Sequence, residues 1–128
     1  MAGDDIAARV AALPQRINGD VALLRRGRFL NATCQLGIGE RNLLLRIVDG
    51  RLVAAGDAPP VTPSADFAII AEPAVWLRLL APEPPPGDHD IFAFVKRKEV
   101  MLVGNLHPLM SHLLYFKGLL AGLREAAR

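Results

Sequence analysis

The chain has 128 residues, 52% of them apolar and 22% charged, with a net charge of +2. That length favours one domain and can bury a core without disulfides or metals. It excludes a disulfide scaffold, because Cys34 is the single cysteine, and a membrane span, because no uninterrupted apolar run approaches about 18 residues. The opening Met1-Ala2-Gly3-Asp4-Asp5 is acidic and lacks the apolar centre of a signal peptide. With the lone thiol, this gives an expectation of a reducing, cytoplasmic compartment. Basic clusters at Arg25, Arg26 and Arg28 and at Lys96, Arg97 and Lys98 lack the interleaved aromatics of a nucleic-acid platform. No nucleic-acid partner is expected; the clusters read as solvated surface, with weak, transient attraction to anionic lipid headgroups as a middle reading.

Ile6, Val10 and Leu13 keep helical spacing, and Pro14 is expected to end that helix. A second short helix is expected over Asp20 to Arg26, with Gly27 as its C-cap. Leu30, Ala32, Cys34, Leu36 and Ile38 then alternate with Asn31, Thr33 and Gln35, the pattern of a strand with one covered face. The turn Gly39-Glu40-Arg41 leads to a strand from Asn42 to Val48. Asp49-Gly50 is a type I′ hairpin signal, and a third strand follows from Arg51 to about Ala55. After the proline-containing loop from Gly56 to Ser64, a fourth strand covers Ala65 to Ala71. Glu72-Pro73 opens a helix with the stripe Val75, Trp76, Leu79 and Leu80. Pro82 to Gly87 reads as a stiff connection, and Asp88 as the cap of a short helix carrying Ile91, Phe92 and Val95 inward. Lys98 to Val103 is the fifth strand.

From Leu106 to the C-terminus the pattern predicts one helix. At about 100° per residue, Leu109, Met110, Leu113, Leu114, Phe116, Leu119, Leu120 and Leu123 span roughly 220°, against the roughly 100° of a surface helix. Such a helix must be covered on more than one side, by a partner or by a molecule held beneath it. The element order argues for an α+β fold, a five-stranded mostly antiparallel sheet covered on one face by helices.

Motifs for chemistry are lacking. The sequence holds no phosphate-binding loop, no nucleophile elbow and no HExxH. His107 and His112 are five apart and point to different sides of a helix, so they do not form a metal pair. His89 sits between Asp88 and Asp90, a string that reads as a helix start. Cys34 reads as a small core residue, since no activating base is identifiable. Neither a cofactor, a metal nor a catalytic residue is expected. Lys117 and Arg124 fall within the apolar arc. Two readings stay open for them: anchors for a carboxylate or phosphate headgroup, or long stems lying on apolar surface with their charges in water. Trp76 is open in the same way, as core or as lining of a ligand site.

Three segments together resemble the sterol carrier protein type 2 domain. They are LLLRIVDGRLVAAG, ADFAIIAEPAVWLRLL with its acid ahead of the strand, and VMLVGN followed by the apolar helix. The run IFAFVKRKEVMLVGN is similar to the family's bacterial branch of ubiquinone-biosynthesis accessory proteins. The resemblance spans residues 29–123, with residues 1–28 as N-terminal helices of a single domain, 1–128. The ending Glu125-Ala126-Ala127-Arg128 is not a peroxisomal signal. The resemblance implies an apolar tunnel between sheet and helices that takes a fatty acid, acyl-CoA, sterol or isoprenoid. The lining expected is Trp76, Leu79, Leu80, Phe92, Leu102, Leu109, Met110, Leu113, Leu114, Phe116 and Leu120. The function expected is non-catalytic carriage of a lipid-like molecule. The alternative is an interaction module that packs the same helix face on a second copy, or on an enzyme such as one of isoprenoid quinone synthesis.

Overall fold

The computed structural model describes residues 2–58, 65–81 and 90–125. Helices α1 (Ala2–Asn18) and α2 (Val21–Arg26) precede strands β1 (Asn31–Ile38), β2 (Arg41–Val48) and β3 (Arg51–Asp57). Then come β4 (Phe67–Ala71), α3 (Pro73–Leu79), α4 (Ile91–Lys96), β5 (Val100–Gly104), α5 (His107–Ser111) and α6 (Leu113–Glu125).

The alternating stretch after Leu30 becomes the central strand of a five-stranded sheet in the order β3-β2-β1-β4-β5. Three of the pairings are antiparallel, and β4 runs parallel to β1. The α+β class and the mostly antiparallel sheet are as expected. The pleat sends Ala32, Cys34, Leu36 and Ile38 into the core together with Leu43, Leu45 and Ile47 of β2 and Phe67, Ile69 and Ala71 of β4. The other face shows Arg46, Ile70, Met101 and Val103 to solvent. Asp66 locks three strands at one end. Its carboxylate accepts from the Thr33 N–H at 2.7 Å, and its carbonyl accepts from the Asn105 N–H at 2.7 Å.

The Asp49-Gly50 turn has positive φ at both residues, 51° and 81°, as a type I′ hairpin requires. It docks on the end of α2. The Gly50 N–H donates to the Leu30 carbonyl at 3.1 Å, and the Asp49 carboxylate accepts from the Phe29 N–H at 2.8 Å. The Tyr115 hydroxyl on α6 donates to the Gly50 carbonyl at 2.5 Å and is fully buried. Gly27 is the C-cap expected, but its φ of −89° is open to any residue. Glycine is needed there for space, since a Cβ would sit 2.6 Å from the Tyr115 ring and 2.9 Å from the Gly50 Cα.

Strand ends differ from the sequence expectations by about two residues, β3 running on to Asp57, β4 starting at Phe67 and β5 at Val100, and the structure departs further at Pro14, at α4 and in the last helix. Pro14 does not end α1, which runs on to Asn18. Ile17 extends the stripe Ile6, Val10, Leu13 and is buried, worth about 1.5–3 kcal/mol, which offsets much of the roughly 3 kcal/mol cost of an interior proline. Asn18 then fastens the helix end to β3, accepting from the Leu52 N–H at 2.9 Å and donating to the Leu52 carbonyl at 3.0 Å. The short helix α4 is capped by Asp90, whose carboxylate accepts from the Phe92 N–H. The expected cap Asp88, like His89 and the stretch 82–87, lies outside the described residues. The fully buried residues of α4 are Ile91 and Phe94, while Phe92 and Val95 are half-buried. Finally, the last helix is two. His112 leaves the helical region at φ −129°, ψ 43°, and the Ser111 hydroxyl donates back to the His107 carbonyl at 2.7 Å. Such back-bonding bends helices. The break re-phases α6, so Tyr115, Phe116, Leu119 and Leu123 face the core while Met110 and Leu114 face solvent. The 220° arc belonged to a continuous helix and dissolves when the helix is divided.

Burial pushes the Tyr115 hydroxyl up to about 12, above its ordinary value near 10. Its protonated form is therefore favoured by folding. That stability is fully present below about pH 10 and is lost as pH rises through about 12. Tyr115 is the only tyrosine, so tyrosinate absorbance reports it alone. The absorbance should rise near pH 12 in the folded protein and near pH 10 in urea. A folded-state rise near pH 10 would contradict the buried contact. Gly27→Ala should lower stability by about 1–3 kcal/mol in urea unfolding. Gly3→Ala, whose Cβ meets nothing closer than 3.9 Å, should be neutral or mildly stabilising.

Candidate functional site

An enclosed cavity lies between the sheet and the two halves of the last helix. Its floor is Cys34 and Leu36 of β1, Leu45 of β2 and Ile69 of β4. Cys34 is the register partner of Leu45, and Leu36 that of Ile69, so these four side chains sit on adjoining strands of one face. Ile91 of α4 and Leu109 of α5 close one side. The roof is α6, through Leu113, Phe116, Leu119, Leu120 and Leu123, with Lys117 as the single charged lining residue. Phe116 stacks edge-to-face on Phe67 of β4, centroids 5.4 Å apart, which fixes α6 over the sheet.

The cavity volume is about 30 Å³, against the roughly 300–1,000 Å³ of a ligand pocket. The implied apolar tunnel is thus filled by side chains, and what remains is a void of one or two water volumes. Its walls are apolar apart from Lys117 at the margin, which disfavours a trapped water. Leu113 and Leu120 are only half-buried, and Lys117 is exposed. The roof is therefore the wall nearest to solvent.

The structure sorts the expected site residues into groups. Leu109, Leu113, Phe116, Leu120 and Lys117 meet at the cavity. Phe92, Leu102 and Met110 meet instead in an outer groove beside β5. Leu114 lies on the surface next to α2. Trp76, Leu79 and Leu80 are fully buried away from the cavity lining. The Trp76 indole donates to the Gly37 carbonyl at 2.8 Å, so it fastens α3 to β1. Arg124 is separate from Lys117. Its Nε donates to the Leu79 carbonyl at 2.9 Å, and Arg9 donates to the Leu80 carbonyl at 3.3 Å, so two arginines cap the end of α3. Burial lowers the Arg124 pKa.

The strand residues Cys34, Leu36, Leu45 and Ile69 and the helix residue Ile91 are missing from the expected lining. The alternation of β1 had already placed Cys34 and Leu36 on the inner face. The sequence held no signal for Leu45 and Ile69 as lining, because only the cross-strand register puts them beside those two.

Burial drives the Cys34 thiol pKa far up, which keeps it neutral. His112 lies at the helix break with its Nδ1 3.3 Å from the Ser111 hydroxyl, which already donates to His107. Among the described residues no group of three His, Cys, Asp or Glu could hold a metal ion. What the arrangement can do is enclose apolar groups.

No family model matches the chain, and no curated protein matches it. Solved structures do. A crystal structure of sterol carrier protein 2 matches with a TM-score of 0.73 at 19% identity, over 93% of this chain and 95% of the other. A UbiJ-SCP2 ubiquinone synthesis protein matches with a TM-score of 0.60 at 17% identity, over 90% and 91%. The sterol carrier protein domain 2 of Helicoverpa armigera matches with a TM-score of 0.60 at 11% identity, over 92% and 89%. The chain has the sterol carrier protein 2 fold across nearly its whole length.

Cys34 makes the cavity floor chemically addressable. Alkylation of the native protein at mild alkaline pH should be slower than in urea by a factor set by opening, on the order of 10³ or more. Labelling at the unfolded rate would contradict the enclosed floor.

Proposed function

We propose that this chain is a non-catalytic member of the sterol carrier protein type 2 group, and that it binds a lipid-like molecule between α6 and the sheet. One observation carries the reading. The void beneath the helix break is walled by apolar side chains from six elements, with a single lysine at its margin. The fold likeness supports it, since the matched proteins include sterol carrier proteins. Binding requires the void to expand as α6 shifts from the sheet, and the half-buried Leu113 and Leu120 are the residues to give way. The driving force is burial of methylenes at about 0.8 kcal/mol each. Roughly ten of them supply about 8 kcal/mol, enough for micromolar affinity before the costs of opening and ordering. Lys117 would sit beside a headgroup at the margin. No helix among the described residues is long and apolar enough to cross a membrane. The lone buried thiol suits a reducing compartment such as the cytoplasm.

A second reading draws on the small volume of the void and on the likeness to UbiJ-SCP2. In it the chain is an accessory module that binds a second copy or a biosynthetic enzyme and carries no ligand. Native mass spectrometry of recombinant protein separates the two. Monomers with co-purified lipid support the carrier, and empty dimers support the module.

Two results should follow from the carrier reading. In a displacement assay, fatty-acid affinity should rise up to about fourfold per added methylene until the site is filled. Leu113→Arg, at a half-buried lining position, should abolish uptake while the variant stays folded. A flat chain-length series, or unchanged uptake by folded Leu113→Arg, would falsify the assignment. If Lys117 holds the headgroup, Lys117→Met should bring the affinities of a fatty acid and its matching alcohol together, from a starting gap of about 1–1.5 kcal/mol.

A further inference from the structure

The outer surface of the helix break combines exposed apolar side chains with cations. Two apolar side chains stand out from it, Met110 with 52% and Leu114 with 59% of their surface exposed. Three grooves meet there. Arg26, Leu114 and Lys117 line the first, between α2 and α6. Arg26, Met110 and Leu114 line the second, between α2 and the α5–α6 junction. Lys98, Met101 and Met110 line the third, between α4, β5 and α5. Shared residues make the three one continuous surface. Met101 adds a third exposed apolar side chain, 60% exposed.

The charge on this surface is mostly of one sign. Arg26, Lys98 and Lys117 are exposed, and among the described residues none of them takes part in an ion pair. The one acid in the three linings is Asp20, and its carboxylate caps α2 by accepting from the Leu23 N–H at 3.1 Å. Exposed apolar side chains interleaved with unpaired cations match the chemistry of an anionic bilayer, with chains for the former and headgroups for the latter. A protein partner of similar apolar character would have to supply matching acids at three separated places.

We propose that the surface of the α5–α6 break docks on an anionic lipid bilayer. The surface also overlies the cavity. Leu113 lines both the void and the second groove, and Lys117 lines both the void and the first. Docking would therefore bring a bilayer against the roof that must open. That route rests on the ligand reading above. The docking surface itself does not.

The test is flotation of the full chain with phosphatidylcholine vesicles containing about one-third phosphatidylserine, beside vesicles of phosphatidylcholine alone. The wild type should bind the anionic vesicles, bind the neutral ones far more weakly, and dissociate as salt is raised. Lys98→Gln and Arg26→Gln should each weaken binding roughly fivefold. Leu114→Gln should weaken it several-fold, because an exposed apolar side chain no longer inserts. Arg46→Gln, an exposed cation on the outer face of the sheet, should change it less than twofold. No vesicle binding, equal binding to neutral vesicles, or equal effects of Lys98→Gln and Arg46→Gln would overturn the proposal. So would a wild-type dimer that Leu114→Gln converts to monomer, because the surface would then serve self-association. Fatty-acid uptake measured without vesicles reports the cavity separately. Intact uptake with absent vesicle binding removes the docking surface and leaves the ligand reading standing.

Discussion

One buried hydrogen bond organises the molecule, that from the Tyr115 hydroxyl to the Gly50 carbonyl. It ties the C-terminal helix to the β2–β3 turn, and the turn in turn rests on the end of α2 through Gly27. Three segments far apart in sequence meet there with no room for a methyl group. Tyr115 also packs edge-to-face on Phe116, which packs edge-to-face on Phe67. The position of α6 over the sheet follows from this chain of contacts. Leaving the Gly50 carbonyl buried without its donor would cost about 1–3 kcal/mol, a large fraction of a small domain's stability.

The same anchoring divides α6 into a fixed and a yielding side. Tyr115, Phe116, Leu119 and Leu123 are buried and hold the helix down. Leu113 and Leu120 are half-buried over the void, and Lys117 is exposed beside them. The break at His112 separates α5 from α6. A fold that closes its apolar void when empty avoids exposing it to water, and the opening cost then falls on the ligand's own burial energy. On the proposed reading, this reconciles a 30 Å³ void with a lipid-sized ligand.

Much of the sheet was legible in the sequence. The alternation from Leu30 to Ile38, the Asp49-Gly50 turn and the Glu72-Pro73 helix start each carry a local physical signal, and each appears where expected. The last helix shows where local reading stops. Its apolar positions are real, but one helical phase does not run through the break set by Ser111 and His112. Tyr115, absent from the expected arc, is among the most buried side chains of the protein. Pro14 shows the converse, a strong local signal overridden by the burial of Ile17 and by Asn18 on the β3 backbone. The lining was half legible. Residues of α5 and α6 were in view, but Leu45 and Ile69 join Cys34 and Leu36 through strand register, which no single segment encodes. Trp76 was ambiguous for a simple reason, since a tryptophan that serves the core and one that serves a ligand look alike until its N–H partner is known.

The central claim is that an apolar molecule enters between α6 and the inner face of the sheet. Methyl-resolved NMR during titration with a long-chain fatty acid tests it directly. The account predicts perturbations centred on Leu36, Leu45, Ile69, Leu109 and Leu113, with Leu79 and Leu80 at the α3 end unaffected. Perturbations confined to the exposed Met101, Val103 and Ile70, or none at saturating ligand, would contradict it.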